Sequence, residues 1–506
     1  MIHPPPSSQT AMASQDHQLH FVMFPLMAQG HMIPMIDMAR LFAEHGVIVT
    51  IITTPLNAFR FKTIIDRAIV SGLPIRLLQL QFPCAEAGLP DGCESLDTVP
   101  SGHLVKNFMV ATSMLQQPLE QMLEEFQPTP SCIISDMGFP WTSEVARKFH
   151  IPRFIFHGTS CFSLLCSHNV ILSKVHERVT SEFESFVVPG LPDRIEMTKA
   201  QLPSSLNKDS SDLKDIRDQV REAELTAYGV VVNSFDELES RYVEEYKKAK
   251  GKKVWCIGPV SLCNKEILDK VERGNKASID EKQCLNWLDS KQPSSVVYAC
   301  LGSLYRLLPS QLIEMGLGLE ASNRPFIWVI KVGDKSWELE KWLEEEGFEE
   351  RMKGRGLLIR GWAPQLLILS HPAIGGFLTH CGWNSTLEGV CAGVPLITWP
   401  LFAEQFCNEK LVIQILKIGV RVGVEVPVRW GEEEKVGVLV KREEVKKAVE
   451  QLMDEGGEGE ERRKRARELG EMAKRALEVE GSSHFNMTLL IQDIMHQVSE
   501  KQYIKV

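Results

Sequence analysis

Residues 362–405 read WAPQLLILSHPAIGGFLTHCGWNSTLEGVCAGVPLITWPLFAEQ, and this stretch decides how the whole 506-residue chain is interpreted. The apolar run that ends in GGFLTH predicts a β-strand, and CGWNSTLEGV directly after it predicts a helix. The turn between them gathers unpaired backbone N–H groups at the positive end of a helix dipole, which favours a bound phosphate. Gly382 has no Cβ and permits close approach of this backbone to a ligand.

The side chains around this turn allow two interpretations. His380, Asn384 and Ser385 can add hydrogen-bond donors to a phosphate site. However, Ser385-x-x-Glu388 also fits a capping box, which needs no ligand and is the commoner explanation for such a pair. Both roles are compatible for Ser385, whereas Glu388 must either cap the helix or hold ligand hydroxyls. Taken alone, Trp362 is more often a core or surface aromatic residue than a platform for a base.

Bulk composition limits the class of protein. The chain is too long for one core, so two domains are expected. Hydrophobic residues make up 44% and charged residues 24%, which is ordinary for a globular protein. The net charge of -10 lacks the excess of positive charge that is typical of nucleic-acid-binding proteins. The 12 cysteines are scattered without metal-type spacing, which favours a reducing compartment.

Residues 1–14 do not have the pattern of a secretory signal peptide. Residues 1–14 contain three consecutive prolines but no basic region followed by an apolar one, so they predict a disordered leader rather than a signal peptide. The sequence does not decide between Met1 and Met12 as the translation start. No apolar run is long enough for a membrane span, and we therefore expect a cytoplasmic protein.

Apolar β-branched runs alternate with amphipathic helical stretches, a pattern typical of an α/β fold with parallel sheets. In the first half the predicted strands lie at 20–25, 47–53, 131–136 and 152–157. The alternation breaks after residues 254–262 and a charged stretch follows, which predicts a linker over 261–280. The predicted strands of the second half lie at 294–303, 325–330, 356–362, 375–380 and 394–400. Two such units imply a ligand cleft at the carboxyl ends of the strands.

A histidine and an aspartate in the first half are candidate catalytic residues. Gly30-His31 lies where the first predicted strand becomes a helix, and a neutral imidazole there can accept a proton near neutral pH. Taken alone, a histidine near a helix start, such as His31, more often has no chemical role. Asp136, at the end of SCIISD, is most simply a helix N-cap. The pattern GxGxxA at 316–321 falls inside a predicted helix, so it does not predict a dinucleotide site.

Two motifs together carry a family resemblance. Residues 362–405 and the AQGHxxP segment, residues 28–34, resemble the plant family 1 UDP-dependent glycosyltransferases, and the resemblance covers nearly the whole chain beyond residue 14. It implies a GT-B fold, with two Rossmann-like lobes whose parallel sheets face each other across a cleft. It further implies that residues 15–260 bind the acceptor and residues 281–480 bind the UDP-sugar. A last helix in residues 481–506 is then expected to return to the first lobe.

The resemblance also implies a role for individual residues. His31 corresponds to the catalytic base, and Asp136 to the carboxylate that hydrogen-bonds it. The donor site is implied as follows: Trp362, with Ala363 and Gln365, at the uracil; Glu388 at the ribose; Ser303, His380, Asn384 and Ser385 at the diphosphate; Trp383, Glu404 and Gln405 at the sugar. Glu404 departs from the family pattern, where aspartate is commoner, and His157-Gly158 occupy a region where many relatives carry a threonine.

The implied reaction is inverting O-glycosyl transfer. An acceptor deprotonated by His31 displaces UDP from glucose, with no metal and no other cofactor. Apolar segments at 82–90, 104–115, 137–141 and 186–192 are candidates for the pocket of a small apolar acceptor, such as a flavonoid, triterpenoid or hormone, that presents a hydroxyl or carboxyl group. No nucleic acid or membrane partner is expected. The alternative is a UDP-sugar sensor or an epimerase-like enzyme of the same fold.

Overall fold

The architecture is built from two parallel sheets, seen in a computed structural model that describes residues 18–203, 206, 214–251, 253–331 and 336–505. The leader predicted over residues 1–14 lies outside the described residues. The first sheet contains β1 (His20–Phe24), β2 (Ile48–Thr53), β3 (Ile75–Gln79), β4 (Cys132–Asp136), β5 (Arg153–His157), β8 (Gly229–Val232) and β9 (Lys253–Cys256). The second contains β10 (Val296–Cys300), β11 (Phe326–Ile330), β12 (Gly356–Arg360), β13 (Ile374–Thr379), β14 (Leu396–Thr398) and β15 (Gly419–Arg421). The strands β6 (Ser185–Val187) and β7 (Glu196–Thr198) form a small antiparallel ribbon.

Both large sheets have the topology of a doubly wound fold. Their spatial orders are β3-β2-β1-β4-β5-β8-β9 and β12-β11-β10-β13-β14-β15, with every neighbouring pair parallel. The direction of winding reverses between β1 and β4 in the first sheet and between β10 and β13 in the second. Loops leave such a reversal point in opposite directions and open a crevice at the carboxyl edge. The α/β fold with two Rossmann-like lobes is therefore confirmed.

The strands predicted from apolar runs are all present, and the strands without a prediction have weaker patterns. Strand β3, IRLLQ, lies at a sheet edge and buries only its first residue fully, so polar side chains interrupt its apolar run. Strands β8 and β15 are only 4 and 3 residues long. Strands this short show little hydrophobic periodicity, whereas the equally short β14 lies within the longer apolar run at 394–400.

Helices cover both faces of each sheet. In the described part of the chain they are α1 (Gln29–Glu44), α2 (Pro55–Val70), α3 (Val105–Ser113), α4 (Gln116–Glu124), α5 (Thr142–Lys148), α6 (Cys161–Ser173), α7 (Lys214–Thr226), α8 (Asp236–Lys250), α9 (Ile267–Val271), α10 (Glu281–Asp289), α11 (Pro309–Ala321), α12 (Ser336–Glu345), α13 (Phe348–Met352), α14 (Gln365–Leu369), α15 (Trp383–Cys391), α16 (Gln405–Lys410), α17 (Glu433–Val436), α18 (Arg442–Leu452), α19 (Gly457–Leu477) and α20 (Ser482–Lys505). A π-helical turn over Leu411–Leu416 extends α16.

Local sequence explains several helix starts. Proline, whose fixed φ suits the first turn, begins α2 and α11. The hydroxyl of Ser160 accepts from the backbone of Ser163 and caps α6. None of the described helices has the length and hydropathy of a bilayer span.

The hydrophobic core is divided between the two sheets but is continuous across their interface. One cluster surrounds the first sheet and includes Met487, Leu490 and Ile494, so the last helix, α20, packs against the first lobe. The other surrounds the second sheet and extends onto α6 and α8 of the first lobe. The two sheets are therefore held by apolar packing in an arrangement that turns their carboxyl edges toward each other.

Candidate active site between the two sheets

A cavity of about 490 Å³ lies between the carboxyl edges of the two sheets. This size lies in the usual range of small-molecule sites. Its lining contains 12 of the 13 residues predicted from the sequence, all except Asp136. The residues come from the loops after β1, β10, β12, β13 and β14. The structure thus brings together side chains that are separated by more than 300 positions in the chain.

His31 and Asp136 form a hydrogen-bonded pair at the reversal point of the first sheet. The Nδ1 atom of His31, in the first turn of α1, lies 2.7 Å from Oδ2 of Asp136, the last residue of β4. The other carboxylate oxygen of Asp136 accepts from the backbone N–H of Gly138 at 2.9 Å. Asp136 does not cap a helix, because α5 begins only at Thr142. Its carboxylate is fully buried and forms a hydrogen bond with His31 instead.

The position of His31 is also tied to the second lobe. Pro34 lies inside α1 and has no N–H to donate to the carbonyl of Gly30, four residues earlier. That carbonyl accepts from the Asn384 side chain at 2.6 Å. The proline of the AQGHxxP segment therefore leaves open an acceptor that joins the two predicted motifs directly.

The charge environment keeps the imidazole of His31 basic. Burial lowers the pKa of His31, but the carboxylate of Asp136, through its charge and its hydrogen bond, together with Glu404, raises the pKa above the usual 6.5. Because Asp136 can only accept, Nδ1 carries the hydrogen in the neutral ring and Nε2 has a free lone pair. About a third of the His31 side chain is exposed to the cavity. His31 can therefore accept a proton from a group in the cavity.

The turn after β13 packs tightly around His380. A Cβ added to Gly302 or Gly382 would lie 2.5 Å or 2.3 Å from atoms of the His380 ring, so both glycines are required by close contact. Gly302, in the turn after β10, also has φ +80. Cys381 has φ 64, a conformation that residues with a Cβ rarely adopt. Backbone strain of this kind concentrates at ligand sites.

His380 is a neutral histidine in this environment. Burial lowers its pKa to about 4. Within the described residues its buried Nδ1 atom has no hydrogen-bond partner. The helix α15 begins at Trp383 with Gly382 as the N-cap residue and no side-chain cap. The arrangement presents backbone N–H groups and a neutral imidazole to the cavity, as expected for an anion site.

The capping-box alternative for Ser385 and Glu388 is wrong. The amide nitrogen of Gln365 donates to Ser385 Oγ at 3.1 Å and to Glu388 Oε2 at 2.7 Å. The other oxygen of Glu388 accepts from Arg273. Glu388 therefore turns away from the start of its own helix and faces the cavity with Trp362 and Ala363.

Trp383, Glu404 and Gln405 all line the cavity, and Glu404 lies close enough to His31 for their charges to interact. The indole N–H of Trp383 donates to the backbone carbonyl of Asn233 in the first lobe at 2.7 Å, so this hydrogen bond connects the two lobes. Burial raises the pKa of Glu404, although the backbone N–H of Trp383 and the nearby His31 counteract this. The carbonyl oxygen of Gln405 accepts from the backbone of Leu401 at 2.8 Å, which leaves its NH2 group as the donor.

The expected acceptor segments contribute more to the core than to the cavity. Phe82, Phe108, Phe139 and Trp141 are buried in the first hydrophobic cluster. Met137, beside Asp136, stays partly exposed. Most of the apolar residues in these segments therefore stabilise the first lobe.

Part of the cavity wall was not predicted from the sequence. Arg273 and Asn275 line the cavity although the charged stretch around them predicts only a linker. Asn275 accepts from the Gln29 side chain at 2.9 Å, and a Cβ on Gly274 would lie 2.5 Å from the Trp362 ring. No local pattern marks these residues, because their contacts are with distant parts of the chain.

Comparisons with known proteins identify the family of this chain. Residues 273–429 match the family model described as UDP-glucoronosyl and UDP-glucosyl transferase, and residues 17–262 match the glycosyltransferase N-terminal domain. UDP-glycosyltransferase 73C5 of Arabidopsis thaliana is 58% identical over 480 residues, which is 94% of this chain and 97% of that protein.

Solved structures show the same similarity. UGT73P12 of Glycyrrhiza uralensis, complexed with glycyrrhetinic acid 3-O-monoglucuronide, is 41% identical with a TM-score of 0.89, covering 96% of this chain and 98% of the other. UGT2 of Phytolacca americana, complexed with UDP-2fluoro-glucose and pterostilbene, is 28% identical with a TM-score of 0.73, covering 94% and 100%. The chain therefore belongs to the plant UDP-glycosyltransferases and is an enzyme of the hexosyltransferase kind.

Proposed function

We propose that the enzyme moves glucose from UDP-glucose, with inversion, to a hydroxyl or carboxyl group of a small apolar plant metabolite. The observation that carries this proposal is the His31–Asp136 pair at 2.7 Å, which shares one cavity with the anion site around His380. On one side of the cavity, a base oriented by a carboxylate can deprotonate the acceptor. On the other side, a phosphate site can stabilise the departing diphosphate. Transfer to an acceptor requires both ends.

In the proposed reaction His31 acts at Nε2. It takes the proton of the acceptor group while the acceptor oxygen forms a bond to the anomeric carbon of glucose. The bond from that carbon to the diphosphate oxygen breaks, and its electron pair leaves with UDP. The negative charge that develops on the diphosphate is met by the backbone N–H groups at the start of α15 and by His380. Attack from the face opposite the leaving group inverts the anomeric centre.

Glu404 and Gln405 support glucose as the donor sugar. A carboxylate accepts from a sugar hydroxyl, and the NH2 group of Gln405 donates to another. The related UGT2 was solved with UDP-2fluoro-glucose, which supports glucose as the donor sugar. UGT2 was complexed with pterostilbene and UGT73P12 with glycyrrhetinic acid 3-O-monoglucuronide, which supports a small-molecule acceptor, and we propose one of the flavonoid, triterpenoid or hormone type.

We further propose that the reaction needs no metal and takes place in the cytoplasm. In this proposal the backbone N–H groups and positive dipole end of α15, together with a hydrogen bond from neutral His380, stabilise the charge that a cation would otherwise meet. Eleven of the 12 cysteines are buried thiols, a usage typical of a reducing compartment.

A UDP-sugar sensor or epimerase-like enzyme is the second candidate. Such a protein needs the donor site but has no use for a base oriented by a buried carboxylate. The His31–Asp136 pair therefore favours transfer.

The test is to incubate the enzyme with UDP-glucose, UDP-galactose or UDP-glucuronate and a panel of flavonols, triterpenoid acids and hormones. Mass spectrometry should detect a hexose adduct with UDP-glucose, and NMR should show a β-linkage from the α-linked donor. UDP binding without transfer to any acceptor would favour the sensor. An α-linked product would overturn the inverting mechanism.

A further inference from the structure

One buried arginine joins the two lobes beside the cavity. The Nε atom of Arg273 donates to Oδ2 of Asp37 in α1 at 2.8 Å, and Nη1 donates to Oε1 of Glu388 in α15. The three side chains are at most 9% exposed. A single guanidinium group thus bridges a carboxylate of the first lobe and a carboxylate of the second.

The backbone that carries Arg273 is itself anchored to the first lobe. We call residues 264–275 the strap. Arg40 of α1 donates to Asn264 at 2.7 Å and to Asp269 at 2.6 Å. Arg67 of α2 donates to Asp269 at 2.7 Å. The strap therefore holds Arg273 in place before any ligand binds, as a preorganised site requires.

Arg273 neutralises Glu388 without using up its hydrogen-bonding capacity. Burial lowers the pKa of Arg273, but Asp37 and Glu388 raise it above its ordinary value, so the side chain stays charged. A carboxylate has about four lone-pair positions. Arg273 and Gln365 each use one, on different oxygens of Glu388. The remaining positions are open to hydroxyl groups in the cavity.

We propose that Arg273 is a positioning residue for the donor nucleoside. It orients the carboxylate of Glu388 toward the ribose hydroxyls and fixes that carboxylate to α1, the helix whose first turn contains His31. This inference rests on the proposed function, because it requires Glu388 to bind the ribose. Arg273 does not contact the reacting atoms.

Calorimetric titration of UDP and of its 2′,3′-dideoxy analogue tests the proposal. Arg273→Ala should raise the Kd for UDP about tenfold, the cost of a lost hydrogen bond to a charged group, and leave the Kd for the analogue unchanged. Arg273→Ala should add no further loss in a Glu388→Ala background. Arg442→Ala, which removes a pair with Glu314 outside the cavity, is the matched control and should bind UDP normally.

Equal Kd values for UDP in the wild type and Arg273→Ala would overturn the proposal, as would equal losses for UDP and the analogue. Because removal of Arg273 leaves two buried carboxylates unpaired, Arg273→Lys serves if the alanine variant does not fold. Lysine is a point charge that cannot bridge both carboxylates as a planar fork does, so weakened UDP binding is expected again. Unchanged UDP binding by the lysine variant would then overturn the proposal. If the wild type itself fails to bind UDP, the proposed function falls instead.

Discussion

His31 and His380 occupy comparable places in the two lobes but have opposite electrostatic environments. Each follows a strand at which the winding of its sheet reverses, β1 for His31 and β13 for His380. The Nδ1 atom of His31 meets the carboxylate of Asp136, and the pKa of His31 lies above its usual value. The pKa of His380 falls to about 4 through burial.

The difference shows how one fold places two histidines in two chemical roles. Burial lowers the pKa of both rings. Only the ring with a buried carboxylate partner regains basicity, as expected when an adjacent opposite charge outweighs desolvation. The topology therefore positions both side chains in the cavity, and the neighbouring charge decides whether the side chain acts as a base or as a neutral hydrogen-bonding group.

Replacing the base should have the largest effect. His31→Ala should lower kcat/KM by about 10²–10⁴-fold, the usual contribution of a general base. The Kd for UDP should stay close to that of the wild type, because His31 lies on the acceptor side. Steady-state kinetics and UDP calorimetry measure the two quantities. A variant that keeps its activity would assign the proton transfer to another group.

Removing the charge beside His31 should make the two histidines more alike. Asp136→Asn should lower kcat on the order of 10²-fold and lower the pKa of His31. The base is active when neutral, so wild-type activity rises with pH through a pKa above 6.5. In the variant this rise should move to lower pH. A pH–rate profile from pH 5 to 9 measures it, and an unmoved profile would contradict the proposed pairing.

A steric clash with His380 should weaken the binding of the UDP donor. In Gly382→Ala the new Cβ would lie 2.3 Å from the His380 ring, which must then move. We expect about tenfold weaker UDP binding, in line with the cost of overpacking a tight site. Gly457→Ala is the matched control, because nothing lies within 4 Å of that position. Calorimetry that finds equal UDP affinity in the two variants would argue against a phosphate role for this turn.

Chelation of metal ions should have the smallest effect. If His380 and the start of α15 meet the charge of the leaving diphosphate, EDTA should leave kcat unchanged. Steady-state rates before and after dialysis against EDTA test this, with restoration by Mg²⁺ as the check. A loss of activity that Mg²⁺ reverses would show that these groups are insufficient.

The two halves of the site differed in how far sequence could predict them. The turn at His380 and the contact between Gln365 and Glu388 lie within one stretch of 44 residues, 362–405, so their spacing is visible in the chain. His31 and Asp136 are 105 positions apart, and their pairing was expected only because the family resemblance implies it. The hydrogen-bonded pairing itself, and the failure of the capping box, depended on packing.

What the amino-acid order determined was the sequence of strands and helices and the identity of the chemical groups, because local hydrophobic periodicity and turn chemistry are properties of neighbouring residues. The tertiary structure alone decided which of those groups meet. It made Arg273, a residue of the predicted linker, part of the cavity wall, since ion pairs to Asp37 and Glu388 connect positions more than 110 residues away. It also set the charge states of His31 and His380, because burial and neighbouring carboxylates arise only when distant segments pack together.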